Sequence, residues 1–153
     1  MNSIGEVPVT QDERTMGTLA HALQIVGWWI APLIIFLVKR ESKFVSFHAL
    51  QALFLQIIYL VFGMFFMVVW FALIFGTVFS RVGSHPSAPP PAFFIFFPLI
   101  WLFWMGAWVA LVVIAIVYAI KAGRGEWAKY PIIGNWVMRI LKIEVVPAPS
   151  AGM

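Results

Sequence analysis

Residues 44–80 read FVSFHALQALFLQIIYLVFGMFFMVVWFALIFGTVFS, an uninterrupted run without a single charge. A hydrocarbon core of about 30 Å needs roughly 20 apolar residues to cross it as a helix. Backbone groups in lipid must pair within their own segment, and the run lacks the strict alternation of a barrel strand, so it predicts a helix. At helical rise it is about 55 Å long, well beyond the core thickness. Gly63 is the only glycine near its middle, with no proline or charge beside it. A turn there would leave backbone groups unpaired at membrane depth. The excess length therefore predicts a steep tilt, or an end that leaves the hydrocarbon and lies against protein.

Working outward, residues 15–38 and 82–120 are also free of charge. The fold class expected is an all-α integral membrane protein, a single membrane domain over 1–153. Its three transmembrane helices fall at about 14–38, 44–80 and 94–121, the second unusually long. Composition agrees: 63% of residues are hydrophobic and 10% charged, against about 45–50% and about 25% in soluble domains. That excess excludes a water-soluble globule and a disordered chain. Cysteine is absent, which excludes disulfides and thiolate chemistry. The N-terminus is acidic rather than basic, unlike a signal peptide. Thr10 and Glu13 have the spacing of a capping box. Residues 81–92 predict a loop, because Gly83 and its prolines forbid helix. Pro98 either opens the regular part of the third helix or kinks it.

Three crossings put Lys39, Arg40, Lys43, Lys121, Arg124, Lys129, Arg139 and Lys142 on one side, against Arg14 and Arg81 on the other. The positive-inside rule then predicts a bacterial inner-membrane protein with an external N-terminus and a cytoplasmic C-terminus. The net charge of +4 reads as topology and attraction to anionic lipid, with no nucleic acid as partner. Those eight basic residues are the expected lipid or cytoplasmic anchor. In residues 133–143, Asn135, Arg139 and Lys142 recur at i, i+4 and i+7 among apolar residues, the pattern of a short interfacial helix. Trp127, Tyr130 and Trp136 suit an interfacial belt.

For chemistry, the tetrapeptide His-Ala-Leu-Gln occurs twice, at 21–24 and 48–51. In a straight first helix His21 lies about 25 Å from the end near which His48 sits. The two histidines are then separated by about 20 Å in depth and are expected as separate single-ligand sites, without a shared metal. Each would suit a chlorophyll-type pigment or a haem iron; lipid at the helix surface is the other cofactor-like ligand. The competing reading is a neutral histidine bonded to a neighbouring helix. No carboxylate pair, Ser/His/Asp set or phosphate loop is present, so a non-enzymatic role is expected. Trp101, Trp104 and Trp108 form a stripe for lipid, pigment or a partner helix. Small-residue pairs occur at Gly27/Ala31, Ala72/Gly76 and Gly106/Ala110, the last two at similar depth, where the second and third helices would cross.

Four blocks carry a family resemblance: MGTLAHAL at 16–23, IAPLIIFLVKRES at 30–42, FVSFHALQAL at 44–53 and AIKAGRGEWAKYP at 119–131. The chain resembles the bacterial family of small three-helix membrane proteins related to the twenty-kilodalton subunit of the chloroplast inner-envelope import translocon, a family that includes magnetosome membrane proteins. The resemblance implies fold more than function. It also implies that Ser46, Leu50 and Phe54 stand where the family has an acid, a basic residue and Asn. That conversion of a polar face into an apolar one predicts a docking surface made of Ser46, Leu50, Leu53, Phe54 and Ile57. The function expected is an accessory or scaffold subunit of a larger integral membrane complex, energy-transducing in the photosynthetic or respiratory sense. The alternatives are a protein-translocation or channel-like component, or an organelle-membrane assembly factor.

Overall fold

The computed structural model describes residues 8–79 and 91–143. Six helices follow in order: α1 (Gln11–Ala22), α2 (Gln24–Gly27), α3 (Ile30–Val38), α4 (Lys43–Phe79), α5 (Pro91–Gly123) and α6 (Ile133–Leu141). No strand occurs among the described residues. The loop expected at 81–92 lies largely outside them; helix has already begun at Pro91. Among the described residues two helices, Lys43–Phe79 and Phe94–Gly123, are long and apolar enough to cross a membrane.

The expected first span, 14–38, is not one helix. It is divided after Ala22 and again after Gly27, where Trp28 adopts φ +51°. The capping box at its start is formed: Thr10 Oγ1 accepts from the Glu13 amide, and Glu13 Oε2 accepts from the Thr10 amide at 2.8 Å. Its two ends meet. Lys39 Nζ donates to Asp12 Oδ2 at 2.8 Å and Ser42 Oγ to Glu13 Oε1 at 2.7 Å. In a straight helix residues so separated would stand about 40 Å apart. Residues 11–42 therefore fold back on themselves instead of crossing once. Gly27 and Pro32 mark this departure only weakly in a sequence, because continuous transmembrane helices tolerate both.

The chain divides into two compact units, residues 1–57 with 113–153 and residues 58–112. In the second, the 58–79 part of α4 pairs antiparallel with the α5 residues 94–112. Trp104 packs edge-on against Tyr59, and the Phe66 and Phe103 rings meet at a tilt of 32°. A Cβ at Gly63 would lie 3.1 Å from the Trp104 ring, so this is the close approach. At Gly76 and Gly106 nothing lies within 4 Å, so the crossing expected at the small-residue pairs is displaced to Gly63. α5 passes through Pro98 as one continuous helix. Among the described residues this unit's outer surface is predominantly apolar, with Phe65 63% and Leu102 68% exposed. Residues 58–79 measure about 33 Å as helix, close to the hydrocarbon thickness.

In the first unit, α4 is a central pillar. Every residue from Phe44 to Leu53 is buried, on all faces of the helix, as expected of a helix enclosed by protein. α6 and the stretch before it cover one side: Phe47, Leu50 and Leu53 pack with Tyr130, Ile133, Val137 and Met138. On another side Val45 and Ala49 pack with Ala20 and Ile35. The surplus length of α4 is thus held by the chain itself.

Candidate functional site

The centre of the first unit is polar. His21, Gln24, Ser46, His48 and Gln51 are each at most 1% exposed. On helices the His-Ala-Leu-Gln tetrapeptide sets His and Gln one turn apart on one face. The fold-back of α1 brings the two copies together. His21 Nε2 lies 2.9 Å from His48 Nδ1. The tyrosine hydroxyl of Tyr130 lies 2.9 Å from His21 Nδ1, and His48 Nε2 lies 3.1 Å from the Glu126 carbonyl. The carbonyl can only accept, which fixes every proton when both rings are neutral. His48 Nε2–H donates to Glu126, His21 Nε2–H to His48, and Tyr130 O–H to His21. Each ring uses one donor and one acceptor, in a chain whose bonds polarise one another in the same sense. Burial, and then the neighbouring His48, hold the His21 imidazole well below its ordinary pKa. Burial likewise pushes the Tyr130 phenol far up. Both groups are kept neutral.

The expected depth separation of the histidines is therefore corrected. It rested on a straight first helix, and the broken one places the rings in edge-on contact with centroids 5.1 Å apart. Tyr130, expected in the interfacial belt, is 3% exposed and belongs to this chain of bonds. Trp127 packs against the core, while Trp136 is 60% exposed. The signal for Tyr130 lay in the polar face of α4, whose side chains secure the irregular stretch 126–130. Gln51 Nε2 donates to the Ala128 carbonyl at 3.2 Å, and Gln51 Oε1 accepts from the Tyr130 amide at 2.5 Å. From α5, Tyr118 donates to the Lys129 carbonyl at 2.8 Å. Gln56 Nε2 donates to the Gln24 carbonyl at 2.9 Å. The Gln24 amide itself is buried beside this network, next to the Tyr130 hydroxyl.

The expected docking face is likewise corrected. Ser46, Leu50 and Leu53 are at most 9% exposed and Phe54 packs on the same core, so the chain covers them itself. Only Ile57, 40% exposed, lies open. Docking had been inferred without placing residues 127–143 against α4. The eight anchor residues Lys39, Arg40, Lys43, Lys121, Arg124, Lys129, Arg139 and Lys142 all fall in the first unit. All are exposed except Lys39 and Lys121, which are half-buried. In the tryptophan stripe, Trp104 packs at Gly63 while Trp101 and Trp108 are 59% and 47% exposed. Among the described residues no group of three or more His, Asp or Glu stands in metal-binding array.

An apolar pair of membrane-length helices joined in sequence to a unit with a sealed polar core defines a small helical membrane protein. The chain belongs to the magnetosome magnetite crystal formation protein family (MamF/MmsF), whose model matches residues 12–137. That match includes the magnetosome proteins of the expected resemblance; it carries neither the import-translocon kinship nor an energy-transducing host. No curated protein and no solved structure matches the chain.

Proposed function

We propose that this protein is a non-enzymatic scaffold of the magnetosome membrane that acts on crystal formation from the cytoplasmic face. The observation that carries this reading is the return of residues 11–42 to their starting point through Asp12–Lys39 and Glu13–Ser42. With two crossings, both chain ends share one side of the membrane. Of the ten Lys and Arg, all but Arg81 then lie on that side, a stronger bias than three crossings allow. The positive-inside rule makes it cytoplasmic. All six acidic residues (Glu6, Asp12, Glu13, Glu41, Glu126 and Glu144) fall there too. The sequence between the spans, residues 80–90, contains no carboxylate. A mineral surface inside would meet no acidic side chain of this protein. Its influence then passes through the membrane and through neighbours on the cytoplasmic side. The sealed histidine chain supports a structural core over a reacting one, since each ring nitrogen is already engaged.

The test is complementation in a magnetosome-forming bacterium lacking its own members of this family. The wild-type chain, and a chain whose residues 82–89 are replaced by a Gly-Ser linker, should restore crystal size equally by electron microscopy. A chain with Lys129, Arg139 and Lys142 changed to Gln should reach the membrane yet restore crystals poorly. If the linker chain fails while the Gln chain succeeds, the protein works from the interior and the proposal is wrong.

A further inference from the structure

One cavity in the first unit has a cation without a counter-charge. It measures about 180 Å³ and is lined by Gln11, Arg14, Thr15, Thr18, Leu19 and Gly123. A water molecule occupies about 30 Å³ in the liquid, so a group of several heavy atoms fits. Arg14 Nε is shut away from solvent with no hydrogen-bond partner. The acids nearest to it in sequence are engaged elsewhere, Asp12 with Lys39 and Glu13 with Ser42 and Thr10. The guanidinium lies over Gly125, whose φ of +78° and missing side chain make room for it; a Cβ there would come within 3.0 Å of Nε. Thr15 and Thr18 give their protons to the Gln11 and Arg14 carbonyls, at 2.9 and 2.8 Å. Nε is closed off over Gly125, so the donors left to a ligand are the Arg14 Nη groups and the Gln11 side-chain amide.

We infer that this cavity binds a phosphoryl group, held by Arg14 and Gln11 at the end of α5. The guanidinium fork matches the geometry of phosphate oxygens. The position fits as well. Gly123 ends the helix that carries a candidate membrane span, so the cavity lies on the side that the proposed topology makes cytoplasmic. Basic pockets beside spanning helices on the cytoplasmic side are suited to phospholipid headgroups. The phosphoryl group therefore comes from an anionic lipid or from free phosphate, and the experiment separates the two.

Delipidated full-length protein in neutral detergent is titrated with inorganic phosphate. In parallel it is reconstituted into phosphatidylcholine vesicles with increasing phosphatidylglycerol. Thermal unfolding is followed in both. A saturable rise in midpoint is expected in at least one arm. Arg14→Gln should weaken it at least tenfold, Arg14→Lys less, and Arg81→Gln, which removes one positive charge outside this unit, not at all. Response to phosphatidylglycerol alone assigns the site to lipid, and response to inorganic phosphate alone assigns it to the free anion. If neither arm responds, or if Arg14→Gln and Arg81→Gln weaken binding equally, the site does not exist. Circular dichroism and the ligand-free midpoint confirm that each variant folds.

Discussion

Tyr130, His21 and His48 share one directed chain of hydrogen bonds, so removing its first donor strands the acceptor behind it. Tyr130→Phe keeps the ring and deletes the hydroxyl that reaches His21 Nδ1 at 2.9 Å. A buried acceptor left without its donor costs about 1–3 kcal/mol, and a fall of that size is expected in detergent unfolding experiments. The same chain sets a pH dependence. Unfolded, the His21 imidazole takes its proton near 6.5; folded, burial and His48 lower that value well below it. Below pH 6.5 the unfolded state binds more protons, so stability is full above that pH and declines as pH falls beneath it. Glu13 moves in the same direction only at lower pH. Burial alone would raise its carboxyl, but bonds from Ser42 and Thr10 bring it below 4.5. Midpoints measured between pH 7.5 and 5.5 should decline in the wild type and stay flat in a His21→Phe/His48→Phe variant. A slope that survives in that variant would assign the effect to other groups. The repeated tetrapeptide was visible in the sequence, as was the reading of each histidine as a neutral hydrogen-bonded ring. Their meeting was not, because it depends on a fold-back whose local signals are faint.

Glycine separates what pattern can show about elements from what only packing can. The long second helix was legible over 44–80 because nothing else satisfies an uncharged backbone run of that length. Its neighbour's closest approach was assigned to the wrong glycines, since small-residue pairs recur by chance in apolar helices. The structure orders the glycines by what a side chain would meet. At Gly63 the Trp104 ring stands 3.1 Å from a Cβ, whereas Gly76 and Gly106 look onto open space. Gly63→Leu should therefore overpack α4 against α5 and destabilise by about 1–3 kcal/mol. Gly76→Ala and Gly106→Ala should be neutral or stabilising by up to about 1 kcal/mol through helix propensity. Opposite signs in one unfolding assay are the check, and equal losses would contradict this packing. Gly134 provides a second case. A Cβ there would fall 2.6 Å from the Lys129 Cβ and 3.1 Å from Gln51 Oε1. Gly134→Ala should push the 126–130 stretch off α4 and expose its amides to faster hydrogen exchange than in the wild type.

At the scale of the molecule, the number of crossings decides which surface meets which compartment. Hydropathy alone favoured three, because residues 15–38 are as charge-free as a span. Two short contacts decide against it. Asp12 with Lys39 and Glu13 with Ser42 join the start of α1 to the end of α3 at 2.8 and 2.7 Å, and a bilayer core of about 30 Å cannot separate groups that touch. The outer face of α2 and α3 is nevertheless apolar, with Val26 82% and Val38 72% exposed, which suits a segment that enters the membrane surface and returns. The resulting arrangement is open to direct labelling, because the chain has no cysteine of its own. Single substitutions Ser3→Cys, Ser84→Cys and Ser150→Cys are expressed in a bacterium that forms no magnetosomes, so that the chain resides in the inner membrane, and intact cells are exposed to a thiol reagent that cannot cross that membrane. Two crossings with cytoplasmic ends leave positions 3 and 150 protected and position 84 labelled. Three crossings would label position 3 while sparing 150. Permeabilised cells, where all three positions should react, show that protection reflects the membrane and not burial. If positions 3 and 84 are both labelled and 150 is spared, the fold-back of residues 11–42 does not survive in the bilayer. The cytoplasmic placement of the acidic residues, and the scaffold role built on it, would then fall together.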